Sequence, residues 1–511
     1  MERYQAYRSN KRIILPVWLV SVIVCLLFPA RAEQPAAEGT VIFDRYYTVK
    51  LQGQRCGYGR TAIRESAQQI TFLNYVNITL GRMGQDMRVI VKSISRETPT
   101  GELISMETIT LLGGFKSTKK AVLEGEQLVV STELWGQTSV ERFAVPPGGF
   151  SSELAAEHLI KALLDKPGRR LELTVLSLQG GPSPFLPAVM EVIGPETIQA
   201  YGQAVSAVKV KTKITLQGME IATYSWLDQQ GTLASRTSLG GLDIFLQAAE
   251  KKQAKNKTGT ADLVSMTLIV PKVPLKDAAN ARRAVYRLTL KNAATQLPDI
   301  PETAMQHVLA KGPNYVDVQI TRQSSEQFAE KPSEKIPQEL QEYLRSSLYL
   351  DWQNPALKAA AQGIRVDSDN RWDLARALWK YANERISTDL GVAFDPASKV
   401  LATRRGDCTE HAVLLGALAR ARGLPSRIVT GLVQVNDFGT HKVVFGYHAW
   451  TEIWIDGVWV SLDAALKQAP ADVSHIALGI SALNSSDPTA ETAAGLVPVV
   501  GNLEIEVLQQ E

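Results

Sequence analysis

The chain has almost no cysteine, three residues in 511, and one of them, Cys25, sits inside an N-terminal apolar segment. The other two, Cys56 and Cys408, are too few for a disulfide scaffold. Pairing them would disable any thiol chemistry, so a free thiol is a feature to follow. Charge of one sign is also missing, since 55 Lys and Arg stand against 52 Asp and Glu. The only run of like charge, Lys251-Lys252…Lys255…Lys257, reads as a solvated linker, and nothing in the charge pattern points to a nucleic-acid partner. Beyond Phe28 no segment is apolar for the ~20 residues that a spanning helix needs. The apolar fraction of 45% is ordinary for a globular chain and argues against disorder. A chain of this length forms about two to four domains of roughly 100–200 residues.

What is present begins at the N-terminus. Arg8, Lys11 and Arg12 precede an unbroken apolar run from Ile13 to Phe28, and Ala30-Arg31-Ala32 follows. A basic stretch, a short apolar stretch and an A-x-A site make a secretory signal peptide over 1–32, cleaved after Ala32. The protein is therefore expected outside the cytoplasm, periplasmic or secreted. The alternative is an uncleaved segment that anchors it to the membrane. Val24 before Cys25 is too large for a lipoprotein signal, so no lipid anchor is expected.

Residues 40–250 read as β. Thr48-Val49-Lys50-Leu51-Gln52, Gln69-Ile70-Thr71-Phe72 and Met87-Arg88-Val89-Ile90-Val91 approximate period-two alternation between Gly-containing turns. A weak repeat suggests two related units: Lys50-Leu51-Gln52-Gly53 recurs as Thr215-Leu216-Gln217-Gly218. Gly101-Glu102-Leu103-Ile104-Ser105 likewise recurs as Gly231-Thr232-Leu233-Ala234-Ser235, and a Leu-Gly-Gly follows each, at 112–114 and 239–241. Chance similarity between amphipathic strands is the competing reading. A short helix over 152–164 separates the units. Acidic residues are scattered and His158 stands alone on that helix, so this region is expected to bind or space rather than react. Further strands at 263–270, 285–290 and 315–321 define a β-rich connecting domain over 260–335. Pro332 and Pro337 mark its end.

From 340 the pattern turns helical. Trp372, Ala375, Leu378 and Trp379 recur at helix spacing, continued by Ala382 and Ile386, and read as core. A helix over 408–421 is followed by strands near 427–435, 443–455 and 458–462. The expected class is α+β for this core over 340–480, preceded by β-rich domains and followed by an extension at 481–511.

Chemistry concentrates in two segments. In Arg405-Gly406-Asp407-Cys408-Thr409-Glu410-His411, Asp407 and Glu410 have the offset of a capping box, which makes Cys408 the first helical residue. The unpaired N–H groups and positive dipole end there favour thiolate over a thiol whose free pKa is about 8.5, and the same N–H groups suit an oxyanion. Taken alone, the segment reads rather as an inert buried cysteine at a helix start. The second segment decides between them. Asp456-Gly457 between two apolar-rich strands signals a two-residue hairpin turn. Counting outward from Ile455 opposite Val458 sets Trp450 opposite Asp463. His448 is then a diagonal neighbour of Asp463 on one face, about 7–8 Å between Cα atoms. A nucleophile, a base and an orienting acid are what thiol catalysis needs, giving Cys408, His448 and Asp463 these roles. His411 reads as accessory or surface, His441 as loop and His475 as structural. A zinc site from Cys408, His411 and His448 lacks a second sulfur and is set aside. No metal or cofactor is expected.

Arg405-Gly406-Asp407-Cys408, Ala419-Arg420-Ala421-Arg422-Gly423-Leu424-Pro425-Ser426-Arg427, Tyr447-His448-Ala449-Trp450 and Trp459-Val460-Ser461-Leu462-Asp463 together resemble the bacterial transglutaminase-like domains, in order and spacing. Ala464 follows the acid where the family's motif continues with proline. The resemblance implies a papain-like core, a Cys-His-Asp triad on Cys408, His448 and Asp463, and a protein or peptide substrate. It spans amide hydrolysis, proteolysis and crosslinking without choosing among them. A scaffold that keeps the fold without turnover is the other class.

Overall fold

Strand is the commonest element among the described residues, in keeping with the two-residue alternation. The computed structural model describes residues 39–511 apart from 83–84, 113–114, 180–182, 217–218, 257–258, 293–296, 329–334, 390–393, 439–440, 486–495 and 497. The signal segment 1–32 and the repeat residues Gly113, Gly114 and Gly218 lie outside the described residues. The described elements fall into two units, divided after Leu263. No helix among the described residues is long and apolar enough to cross a membrane.

In the first unit the strand Leu242–Ala249 buries Leu242, Ile244, Leu246 and Ala248, every second residue. That periodicity puts one face of the sheet into the core. Strands between Thr40 and Ala144 form one antiparallel meander and those between Arg170 and Ala249 a second. Thr40–Leu51 pairs with Leu242–Ala249, from Tyr46↔Ala249 to Leu51↔Ile244, so both meanders belong to one sheet. The helix Glu153–Lys161 connects them, its Ser152 side chain capping the Ala155 N–H at 3.0 Å. Leu154 packs on Ile63, Ile70 and Phe72 of the first meander. Ala156 and Ile160 pack on the second, against Ile214 and Val175 and against Met190 and Val210 respectively.

This helix carries two carboxyls into the core. Glu153 accepts from Asn74 Nδ2 at 2.6 Å, and burial pushes its pKa up to about 8. Glu157 is fully buried with neither oxygen hydrogen-bonded, and burial raises its pKa well above the carboxylate range. Both are acids whose folded pKa exceeds the unfolded one. Their contribution is complete below about pH 4.3 and is lost as pH rises through the folded values. Glu157→Leu should therefore stabilise the unit by ~1–3 kcal/mol at pH 8 and by less at pH 5. Thermal unfolding at the two pH values checks this, and an equal gain at both would refute the linkage.

The second unit holds two four-stranded antiparallel sheets. One orders Gln306–Lys311, Tyr315–Thr321, Arg283–Leu290 and Leu503–Gln510. The connecting strands around 283–321 thus share a sheet with the C-terminal strand, paired from Leu290↔Leu503 to Ala284↔Gln510. The other orders Val458–Leu462, His441–Ile455, Ser426–Phe438 and His475–Ser481. A common core joins the sheets, with Tyr286 edge-on to Phe445 at 5.9 Å and its hydroxyl donating to Val473 O at 2.8 Å. Helices are segregated from the strands of this unit. Cys408–Ala421 is central, buried on nearly every side from Glu410 to Arg420. It packs against the helices Pro355–Gly363, Arg371–Arg385 and Ala397–Thr403 and against the strand His441–Ile455. Trp372, Ala375, Leu378 and Ala382 of the expected stripe are core. Taken whole, the chain is strand-rich, with its helical layer confined largely to the last third.

Candidate active site

The helix begins at Cys408 because Asp407 and Glu410 cap it reciprocally. Asp407 Oδ1 accepts from Thr409 N at 2.8 Å, and Glu410 Oε2 accepts from Asp407 N at 2.9 Å. Gly406 makes room for this fold-back, since a Cβ there would lie 2.2 Å from Glu410 Cβ. Glu410 is buried, and burial together with the neighbouring Asp407 raises its pKa well above the usual range. Cys408 is partly exposed and free, whereas Cys56 is buried, and burial pushes its thiol pKa to about 12. Of these two described thiols, Cys408 is the accessible one.

The hairpin forms as the sequence count required. Asp456 and Gly457 both take positive φ, 41° and 99°, the left-handed pair of a type I′ turn. Pairing runs from Ile455↔Val458 to Thr451↔Leu462, which sets the next residue, Asp463, at the strand's end. There His448 Nε2 donates to Asp463 Oδ2 at 2.6 Å. Thr451 Oγ1 donates to Ala412 O at 2.9 Å and fastens this strand to the Cys408 helix. Cys408 borders the same imidazole, close enough to act on it by charge and hydrogen bond. The three residues singled out from the sequence are thus brought together.

Burial by itself would lower the His448 pKa, but Asp463 and Cys408 outweigh it and hold the imidazole well above its ordinary value. Burial would likewise raise Asp463, yet His448 and His475 hold its carboxyl well below the usual range. Asp463 is fully buried, and Oδ1 accepts from Leu466 N at 2.8 Å. Its turn is clamped from the helix Arg371–Arg385, where Trp379 Nε1 donates to Asp463 O at 2.9 Å and Asn383 Nδ2 to Ala464 O at 2.7 Å. Trp379, read from spacing as core, therefore also orients the acid.

Two further histidines lie at the site: His411, in the accessory place that is one of its two readings, and His475, read as structural. His411 is buried, its Nδ1 2.7 Å from Asp407 O, and burial lowers its pKa. His475 is more consequential, because its Nε2 lies 3.0 Å from Asp463 Oδ2, the oxygen that His448 also uses. His448, Asp463 and His475 offer ligand atoms within 4.8 Å of one another. With both ring nitrogens read as donors to the one carboxylate oxygen, hydrogen bonds alone account for the cluster.

The backbone beside His448 leaves no slack. Gly431 sits opposite His448, and a Cβ on it would fall 2.0 Å from Ile476 O. Gly431→Ala must push the strand His475–Ser481 away, at an expected cost of about 1–3 kcal/mol or more. It should also slow iodoacetamide labelling of Cys408. Unchanged melting and labelling together would show the contact to be soft.

A family model covers the same stretch of chain. The transglutaminase-like superfamily matches residues 358–464. A protein-glutamine gamma-glutamyltransferase from Pseudomonas aeruginosa is 36% identical over 78 residues, which is 14% of this chain and only 12% of that relative. Among solved structures, a proposed cysteine protease from Cytophaga hutchinsonii is 16% identical over 45% of this chain and 89% of its own, with a TM-score of 0.30. A β-barrel-like protein of a domain of unknown function from Brucella abortus is 10% identical over 40% of this chain and 95% of its own, with a TM-score of 0.33. The segment that carries Cys408, His448 and Asp463 is a transglutaminase-like domain within a longer, strand-rich chain.

Proposed function

We propose that this chain is an exported cysteine enzyme that attacks amide or peptide carbonyls, with Cys408 as nucleophile, His448 as base and Asp463 as the acid that orients it on a papain-like α+β core. The observation that carries the reading is the 2.6 Å bond from His448 to Asp463, made by a ring that also meets Cys408 at a helix N-terminus. His448 holds the thiol proton while sulfur adds to the carbonyl, then delivers it to the leaving amine as the C–N bond breaks. The product is a thioester on Cys408. The Asp407 cap takes the Thr409 and Glu410 N–H groups, so the N–H of Cys408 itself is the oxyanion donor we assign at the helix start.

The second half depends on which nucleophile reaches the thioester. Water, present in bulk, gives hydrolysis and an amidase or peptidase, the reading we adopt. An amine gives transfer, the activity in the name of the Pseudomonas relative. A cell-envelope protein or peptide is the proposed substrate, because the basic and apolar N-terminal segment ending at Ala32 has the pattern of an export signal.

Iodoacetamide labelling near neutral pH tests the reading, with Cys408→Ala as background. Cys408 should react at least ~10-fold faster than an ordinary thiol of pKa about 8.5. A rate no faster than that sinks the enzyme and leaves a scaffold that retains the fold. Incorporation of a fluorescent primary amine into protein at the expense of hydrolysis would replace hydrolase by transferase.

A further inference from the structure

The carboxylate of Asp463 serves two imidazoles. His448 Nε2 and His475 Nε2 both point at Oδ2, at 2.6 and 3.0 Å. His475 is buried, and its other nitrogen, Nδ1, faces Asp472 Oδ1 at 3.4 Å. Asp472 is fixed in turn by Ser474 N at 2.9 Å and by Gln468 Nε2 at 2.9 Å. A neutral imidazole that donates from Nε2 would aim a lone pair at Asp472 Oδ1 and at Ser474 Oγ, 3.5 Å away, whose hydroxyl is given to Asp472 Oδ1 at 2.5 Å. Protonation removes that conflict and sets one cation between two anions. The ring is closed off by Trp450, edge-on at 5.1 Å, and by its own strand neighbours.

We propose that His475 is a positioning residue of this site: a buried imidazolium shared by Asp463 and Asp472 that limits how strongly Asp463 draws on His448, and so sets where on the pH scale the Cys408–His448 pair operates. This rests on the cysteine-enzyme reading. The charged and titratable groups that face it are Asp463 at the hairpin end, His448 on the strand His441–Ile455 and Asp472 in the preceding loop. Tyr286 lies beyond Asp472, and Cys408 and His411 beyond His448. Burial would lower the pKa of His475, but its bonds to the two carboxylates raise it instead.

The direction of the effect follows from charge. The His448 and His475 ring centres are 6.0 Å apart. Removing a positive charge at that distance stabilises protonated forms nearby, so both the thiol step and the imidazolium step of the pair move to higher pH. At an effective dielectric constant of ~20 the shift is about one to two pH units, larger for the nearer His448. His475→Gln keeps a donor toward Asp463 and loses the charge, while His475→Phe loses both and should also loosen His448.

The test is the pH profile of Cys408 alkylation by iodoacetamide on the full chain, with Cys408→Ala as background. For His475→Gln both inflections should rise by about one unit or more. Inflections that stay in place or move down in a folded variant overturn the proposal. Should the variants fail to fold, nitrogen NMR of histidine-labelled wild type decides it. Both His475 ring nitrogens protonated at pH 7 supports the proposal, and a neutral tautomer overturns it. An unactivated Cys408 in the wild type would defeat the enzyme reading, whereas the NMR result would still report on His475.

Discussion

Asparagine in place of Asp463 is expected to slow acylation of Cys408 by roughly 10³–10⁴-fold, the scale on which a triad fails when its base is held wrongly. The cause lies in the donors around the carboxylate. Oδ2 takes N–H groups from His448 and His475, and Oδ1 takes the N–H of Leu466 at 2.8 Å. An amide has one acceptor oxygen for these three donors. If the oxygen faces the histidines, the NH2 meets Leu466 N–H; if it faces Leu466, the NH2 meets two imidazoles. Either way His448 must turn or change tautomer, and the nitrogen that served the thiol is lost.

The charge changes as well. Asp463, together with Cys408, raises the His448 pKa against the effect of burial. A histidine with a raised folded pKa contributes stability that is complete below about pH 6.5 and lost as pH rises through the higher folded value. Asp463, with its pKa depressed, contributes above about pH 3.9 and loses that only as pH falls through the lowered value. Asp463→Asn removes both contributions, so its stability should vary less with pH than that of the wild type. Turnover measured against the Cys408→Ala background, with thermal melts from pH 4 to 9, checks both halves. A rate loss below tenfold in a folded variant would remove Asp463 from the orienting role.

Those residues could be read from sequence because each depends on local geometry. Asp407 and Glu410 are three apart, the spacing at which a side chain reaches back to a cap. Asp456-Gly457 supplies two left-handed residues, which fixes the register and so puts Asp463 beside His448. His475 had no such signal. Its strand reaches the site by pairing with Ser426–Phe438, across an irregularity between Thr430 and Gly431 that no local pattern reveals. The same holds for Thr40–Leu51 with Leu242–Ala249 and for Arg283–Leu290 with Leu503–Gln510, pairs set by chain closure over some 200 residues. The burial of Glu153 and Glu157 is invisible in the sequence for a different reason. Carboxyls one turn apart on a short helix normally mark its wet face, but here a sheet from both meanders covers that face.

The largest loss of stability is expected from Arg420→Ala, about 3–5 kcal/mol. Arg420 is 2% exposed and lies near the end of the Cys408 helix. Its guanidinium donates to Ser426 O at 2.8 Å, Ala482 O at 2.7 Å and Arg345 O at 2.6 Å, and to the side chains of Ser426 and Asn484. Burial lowers its pKa to about 9, opposed by Glu342 and Tyr343. Ser426 opens the strand paired with His448, and Ala482 follows the strand that carries His475. One planar fork thus binds the helix of the thiol to the end of the His475 strand and to the strand that pairs with both imidazole-bearing strands. Alanine leaves three carbonyls without donors and a cavity the size of the side chain. Lysine keeps a cation but offers a single donor centre that cannot span the three directions, so it should recover less than half of the loss. Denaturant midpoints of the two variants, read with Cys408 labelling well below the midpoint, separate the terms. Lysine matching the wild type would mean that charge, rather than the fork, holds the helix to the sheet.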